Sequence, residues 1–180
     1  MPKPITILVE GESDKAAVVA LAPRLGVDLA AEDITVTVIG GAGNFGRAIP
    51  EAVRLGHRVG GLYDEAEERF VADALNRQVG EDLTRQGFFA CRPDLELELV
   101  RSIGAVEMAP LFEANGDLKT FRNFQDQPKY RDADVLEQLR RFIGANGARK
   151  AKYAAVMAEA VDFGAVPEPL EGLVNWIWSA

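Results

Sequence analysis

The 180-residue sequence contains one cysteine and one histidine. Cys91 alone rules out an internal disulfide framework, and such cysteine use points to a reducing compartment, the cytoplasm. His57 is the sole histidine and sits just before a strand pattern, at its N-terminal end. It is read as a surface residue, and no histidine accompanies Cys91 to make a Cys/His nucleophile. No apolar stretch approaches the roughly 20 residues of a membrane span, and the N-terminus lacks a signal-peptide pattern. There is no internal repeat, no low-complexity tract and no Gly-x-x-x-x-Gly-Lys-Ser/Thr phosphate loop. Positive charge is also short: the formal net charge is -8. That argues against a protein held to nucleic acid by bulk electrostatics. It leaves local contacts open, because clustered carboxylates attract phosphate once a metal ion occupies them.

What remains is ordinary globular material, 48% hydrophobic and 27% charged, enough for one domain with or without an appended helical piece. Ile5 to Val9 is an apolar, β-branched run that reads as a buried strand. Helical spacing follows over Lys15 to Leu25, stopped by Gly26, with Ser13 as the candidate cap. Strand patterns recur at Ile34 to Ile39, Val59 to Tyr63 and Gly87 to Cys91. Between them lie a short helix bearing Ile49 and Val53 and a charged helix from about Glu65 to Val79. This alternation predicts a mostly parallel four-stranded α/β sheet flanked by helices. An apolar-rich helix runs through Val100. Beyond it, Phe112 to Arg131 reads as loop with short turns, followed by helices over Val135 to Ile143, Arg149 to Val161 and Leu170 to Trp178. The expected division is a core over 1–104 and a loop-rich, helical extension over 105–180 that packs on it.

Acids follow the strands in a pattern. Glu10 and Asp14 come after the first, Asp64 after the third, and Asp94, Glu96 and Glu98 after the fourth. Parallel strands bring these positions to one edge of the sheet, where ligands bind in open α/β folds. Unpaired carboxylates there repel and raise each other's pKa; a divalent cation relieves this and can serve phosphodiester chemistry. Acids also follow strands merely to cap helices, and spacing does not separate the two readings.

Val9-Glu10-Gly11-Glu12-Ser13-Asp14, the Gly40-Gly41-Ala42-Gly43-Asn44 turn and the strand-ending Asp64 resemble the TOPRIM fold, a Rossmann-like sheet shared by topoisomerases, DnaG-type primases and OLD-family nucleases. With Asp94-Leu95-Glu96 and Lys150, the sequence looks most like the TOPRIM nuclease region of the OLD (overcoming lysogenization defect) family, over roughly residues 4 to 162. The resemblance implies DNA cleavage with one or two Mg²⁺ or Mn²⁺ ions. Glu10 and Asp14 would hold one ion, Asp64 would bridge toward a second, and Asp94 and Glu96 would complete that second site. Glu10 and Lys150 would be the catalytic pair, with Lys150 offsetting charge on the phosphate.

Two departures stand out. Ala66 occupies the place of the second aspartate of Asp-x-Asp, although Glu67 or Glu68 could reach back from the start of a helix. OLD-family nucleases carry an ATPase domain ahead of the TOPRIM region, whereas this sequence begins at the first TOPRIM strand. Energy coupling is therefore expected from a separate ATPase subunit, and a homodimer is a further candidate assembly. The alternative to a nuclease is a non-catalytic TOPRIM-like module that binds nucleic acid or an ATPase partner; a flavodoxin-like phosphotransfer enzyme lacks its nucleotide motif. Gly41-x-Gly43-x-x-Gly46 fits a dinucleotide pattern only weakly and reads better as a turn. Arg140, Arg141, Arg149, Lys150 and Lys152 form a basic segment that is either a solvated helix face or a phosphate contact. Trp176 and Trp178 are either core packing or a docking surface.

Overall fold

The computed structural model describes residues 3–179. Strand β1 (Ile5–Val9) lies at the centre of a four-stranded parallel sheet of order β2-β1-β3-β4, with β2 spanning Ile34–Val38, β3 Arg58–Asp64 and β4 Phe88–Cys91. The chain leaves β1 toward β2 and then returns past β1 to β3, so the direction of progression reverses once. Right-handed crossovers consequently place helix α1 (Glu12–Leu21) on one face of the sheet. Helices α2 (Phe45–Arg54) and α3 (Glu68–Ala74), which make the two crossovers in the other direction, fall on the opposite face. The two apolar cores divide accordingly: Phe45, Ile49, Val71 and Phe88 fill the α2/α3 side, and the larger core lies on the α1 side.

The second half of the chain supplies most of that larger core, against β1, β2 and α1. Helix α4 (Leu95–Ile103) follows β4, and α5 (Ala105–Ala114), α6 (Leu118–Gln125), α7 (Val135–Gly144), α8 (Gly147–Ala160) and α9 (Glu168–Trp178) follow in turn. Helix α8 packs along α1, and α9 lies across β3 and β4. The close approach of α9 is what the strand glycines permit. A Cβ on Gly60 would come within 2.7 Å of the Trp176 ring, and one on Gly87 within 2.4 Å. Trp176 is thereby a packing residue, stacked under the Arg58 guanidinium at 4.3 Å, while Trp178 remains exposed.

Three local expectations change. The segment read as loop over 112–131 is largely helical, forming the end of α5 and all of α6. Phe121 and Phe124, three residues apart, give α6 an aromatic face against Phe112 and Phe142. The polar residues between them obscured that spacing. The charged helix after β3 is shorter than its charge pattern suggested, a 3-10 turn Glu65–Glu67 leading into α3. Finally, Ser13 is buried inside α1 rather than capping it; Gly11 is the cap residue, and its N–H donates to Asp14 Oδ2 at 2.9 Å.

Candidate active site

Each acid reaches the site for a local reason. Val9 is fully buried and ends β1, so Glu10 emerges at the carboxyl edge where the strand order reverses. Asp14 sits in the first turn of α1, close enough to bind back to Gly11. Asp64 ends β3 opposite Cys91 of β4. Glu10, Asp14, Asp64 and Cys91 line one narrow crevice floored by Leu62 and Tyr63. Cys91 is packed there as a buried apolar residue, its thiol pushed far up by burial and by the surrounding acids.

The second element of the site is Glu67. The 3-10 turn after Asp64 brings its carboxyl against that of Glu10, and Glu10 Oε2 and Glu67 Oε2 are both buried without a donor among the described residues. Only a proton on one of the pair joins them. The hydrogen bond to Glu67, then burial, then the charge of Glu67 push Glu10 up to about 7. Glu68, the other residue expected to reach back, turns away and accepts from Gly80 N at 2.7 Å. Asp64 is also pushed up to about 7, by burial first and then by Asp14, Glu96 and Asp94. Burial likewise raises Asp14 and Glu96.

Lys150, in the first turn of α8, is the shared counter-charge. Its Nζ lies 3.3 Å from Glu96 Oε1, an ion pair without hydrogen-bond geometry, so that buried oxygen also lacks a donor. Burial alone would lower the ammonium's pKa; Glu96, Asp14 and Asp64 outweigh it and hold the group charged. Asp94 is engaged differently. Its Oδ1 caps α4 by accepting from Leu97 N at 2.9 Å, and its Oδ2 takes Nε and Nη2 of Arg140, each at 2.5 Å. Among the described residues, no group of three or more Asp, Glu, His or Cys side chains is set to hold a metal ion as it stands. The donor chemistry nevertheless fits one: hard carboxylate oxygens, several of them buried without donors, held beside one another at high pKa.

Arg140 and Lys150, together with Arg141 and Tyr130, also line an open cleft of about 380 Å³ that begins at Asp94 and Glu96. The basic segment therefore borders the acids, a juxtaposition invisible in sequence. His57 lies at the opposite end of the strands, where its Nδ1 pairs with Thr6 Oγ1 at 2.8 Å.

A parallel sheet of this order with acids at the ends of its first and third strands is the arrangement expected of a TOPRIM fold. Residues 5–65 match the sequence profile described as "Overcoming lysogenization defect protein-like, TOPRIM domain". Over residues 5–65, about a third of the chain, the sequence is thus similar to the TOPRIM domain of OLD-like proteins. The fold as a whole is similar to the C-terminal region of the OLD protein of Xanthomonas campestris pv. campestris, with a TM-score of 0.69 and 23% identity over 98% of this chain and 95% of that one. It is also similar to the C-terminal region of the Burkholderia pseudomallei OLD protein, with a TM-score of 0.68 and 18% identity over 97% of each chain. No curated protein matches the sequence significantly. Lys150, Asp94 and Glu96 lie outside the matched segment and stand on geometry alone.

Proposed function

We propose that this chain is a divalent-metal-dependent nuclease domain that hydrolyses nucleic-acid phosphodiesters, with DNA as the expected substrate. The observation that carries the reading is the pair of buried, donorless oxygens on Glu10 and Glu67, whose carboxyls meet, with Glu10 sharing a crevice with Asp14 and Asp64. Leaving such groups desolvated without a partner costs a protein about 1–3 kcal/mol each. A site that takes up a cation gives that arrangement a use. Glu10, Asp14, Asp64 and Glu67 would hold the ion, Mg²⁺ or Mn²⁺. Asp94 and Glu96 would serve a second ion only after releasing Arg140 and Lys150. When bound, a divalent ion polarises the phosphoryl oxygen and lowers the pKa of water. The chain's own part is positional and electrostatic. The carboxylates fix the reacting edge, the sheet and α8 hold them rigidly, and the Lys150 ammonium faces the phosphate and offsets its developing charge.

The second reading, a non-catalytic module that binds nucleic acid or an ATPase partner, is favoured by the engagement of Asp94 with Arg140. Metal uptake separates the two. The nuclease reading expects Mn²⁺ binding that is lost on replacing Asp64. It also expects nicking of supercoiled plasmid with Mg²⁺ or Mn²⁺, abolished by Glu10→Ala in a chain that still folds. Unchanged cutting by that variant, or intact plasmid with both ions even after adding an ATPase partner, overturns it.

A further inference from the structure

Charge is unevenly distributed along this acidic chain. Residues 119–152 contain nine of its 20 Lys and Arg but only four of its 28 Asp and Glu. This segment builds α6, α7 and the first turn of α8, and Tyr130, Arg140, Arg141 and Lys150 from it face the cleft that opens from Asp94 and Glu96. Two of the cleft's three cations are committed to site carboxylates, Arg140 to Asp94 and Lys150 to Glu96. Arg141 is not. It is half exposed, and among the described residues its partner is Glu137, which accepts from Nε at 2.6 Å; neither Nη group makes a hydrogen bond there. Glu137 is shared, since Arg140 Nη1 lies 3.5 Å from its other oxygen.

Resting on the nuclease reading, we propose that this cleft is a subsite for the nucleic-acid phosphate next to the cleaved bond, with Arg141 as its binding cation. The cleft is of ligand size, about 380 Å³, and guanidinium forks suit phosphate oxygens. It is continuous with the reacting edge, because Asp94, Glu96 and Lys150 belong to both. Gly144 and Ala145 on its far wall leave the backbone accessible to a chain lying across it. The simpler account of Arg141 is a helix-surface cation paired one turn back with Glu137 and favoured by the C-terminal end of α7. The two accounts predict opposite consequences of removing Glu137. As a structural partner, Glu137 is neutral or helpful to binding. Beside a phosphate subsite it competes with the ligand for both arginines.

The test is fluorescence anisotropy of a labelled DNA oligonucleotide with the full chain in Ca²⁺, with the strand checked intact on a gel, over a salt series. Arg141→Gln is expected to weaken binding on the order of tenfold. It should also flatten the slope of log affinity against log salt by about 0.7–0.9, one phosphate contact. Glu137→Gln is expected to tighten binding several-fold. Arg54→Gln, an exposed cation at the end of α2 on the opposite face of the sheet, should change neither quantity. Wild-type affinity and slope in Arg141→Gln, or weaker binding by Glu137→Gln, overturn the subsite even if plasmid nicking is intact. A wild-type chain that neither binds nor cuts overturns the nuclease reading and the subsite together.

Discussion

Asp64→Asn isolates the free-energy cost of the carboxylate cluster. Burial, reinforced by Asp14, Glu96 and Asp94 and opposed by Lys150, moves the Asp64 carboxyl from its ordinary 3.8 to about 7. An unfolded chain releases that proton near pH 4, whereas the folded chain holds it to higher pH. Stability therefore falls as pH rises through the window between the two values, and the loss is complete above about pH 8. A difference of about three pH units is worth roughly 4 kcal/mol. Because Asp64 is only partly buried, solvent screening brings the expected penalty to about 2 kcal/mol. Asparagine keeps the shape without the charge. In EDTA at pH 8.5 the variant should melt about 4–8 °C above the wild type, and the gap should close as pH is lowered toward 4. Mn²⁺ at a hundredfold excess over its Kd should stabilise the wild type by about 2.7 kcal/mol and the variant by much less. A gap that is independent of pH, or a variant less stable than wild type at pH 8.5, refutes the reasoning.

Lys150→Gln should slow plasmid nicking about 10²–10³-fold while the chain stays folded. It also leaves Glu96 buried without its cation, so thermal stability should fall at pH 8 and recover in acid, followed by melting curves. Glu67→Ala should weaken Mn²⁺ binding at least tenfold by calorimetry, whereas Glu68→Ala, whose side chain accepts from Gly80, should not. Gly61→Ala should lower the urea midpoint by an amount equivalent to about 1–3 kcal/mol. Its added Cβ would come within 2.3 Å of the Leu8 carbonyl oxygen in the central strand pair, where neither backbone can yield.

The sheet was legible because its signals are local. Ile5 to Val9 is buried along its whole length, and an uninterrupted apolar run announces a strand covered on both faces. The helices of residues 105–125 were not legible from the same kind of signal. Pro110 lies inside α5, Asn115 and Gly116 separate it from α6, and α6 is polar except for Leu118, Phe121 and Phe124, which it packs on the core. Its stability comes from Phe112, Phe121, Phe142 and Tyr153 meeting across four helices. Such contacts are set by tertiary structure and leave little periodic trace. The neighbourhood of Arg140 and Asp94, 46 residues apart, is hidden for the same reason.

Ala66 shows how spacing in sequence can mislead about a site. Read along an extended strand, alanine at the second position after Asp64 removes a ligand. The strand ends at Asp64, however, and Glu65–Glu67 form a 3-10 turn. The turn brings Glu67 back toward the edge, where its carboxyl meets that of Glu10. Glu67 is half-buried, with its Oε2 enclosed against Glu10, whose carboxyl is pushed up to about 7 by that hydrogen bond, by burial and by the charge of Glu67. On the nuclease reading proposed above, Glu67 supplies the carboxylate that Ala66 lacks, and the Mn²⁺ titration of Glu67→Ala tests it.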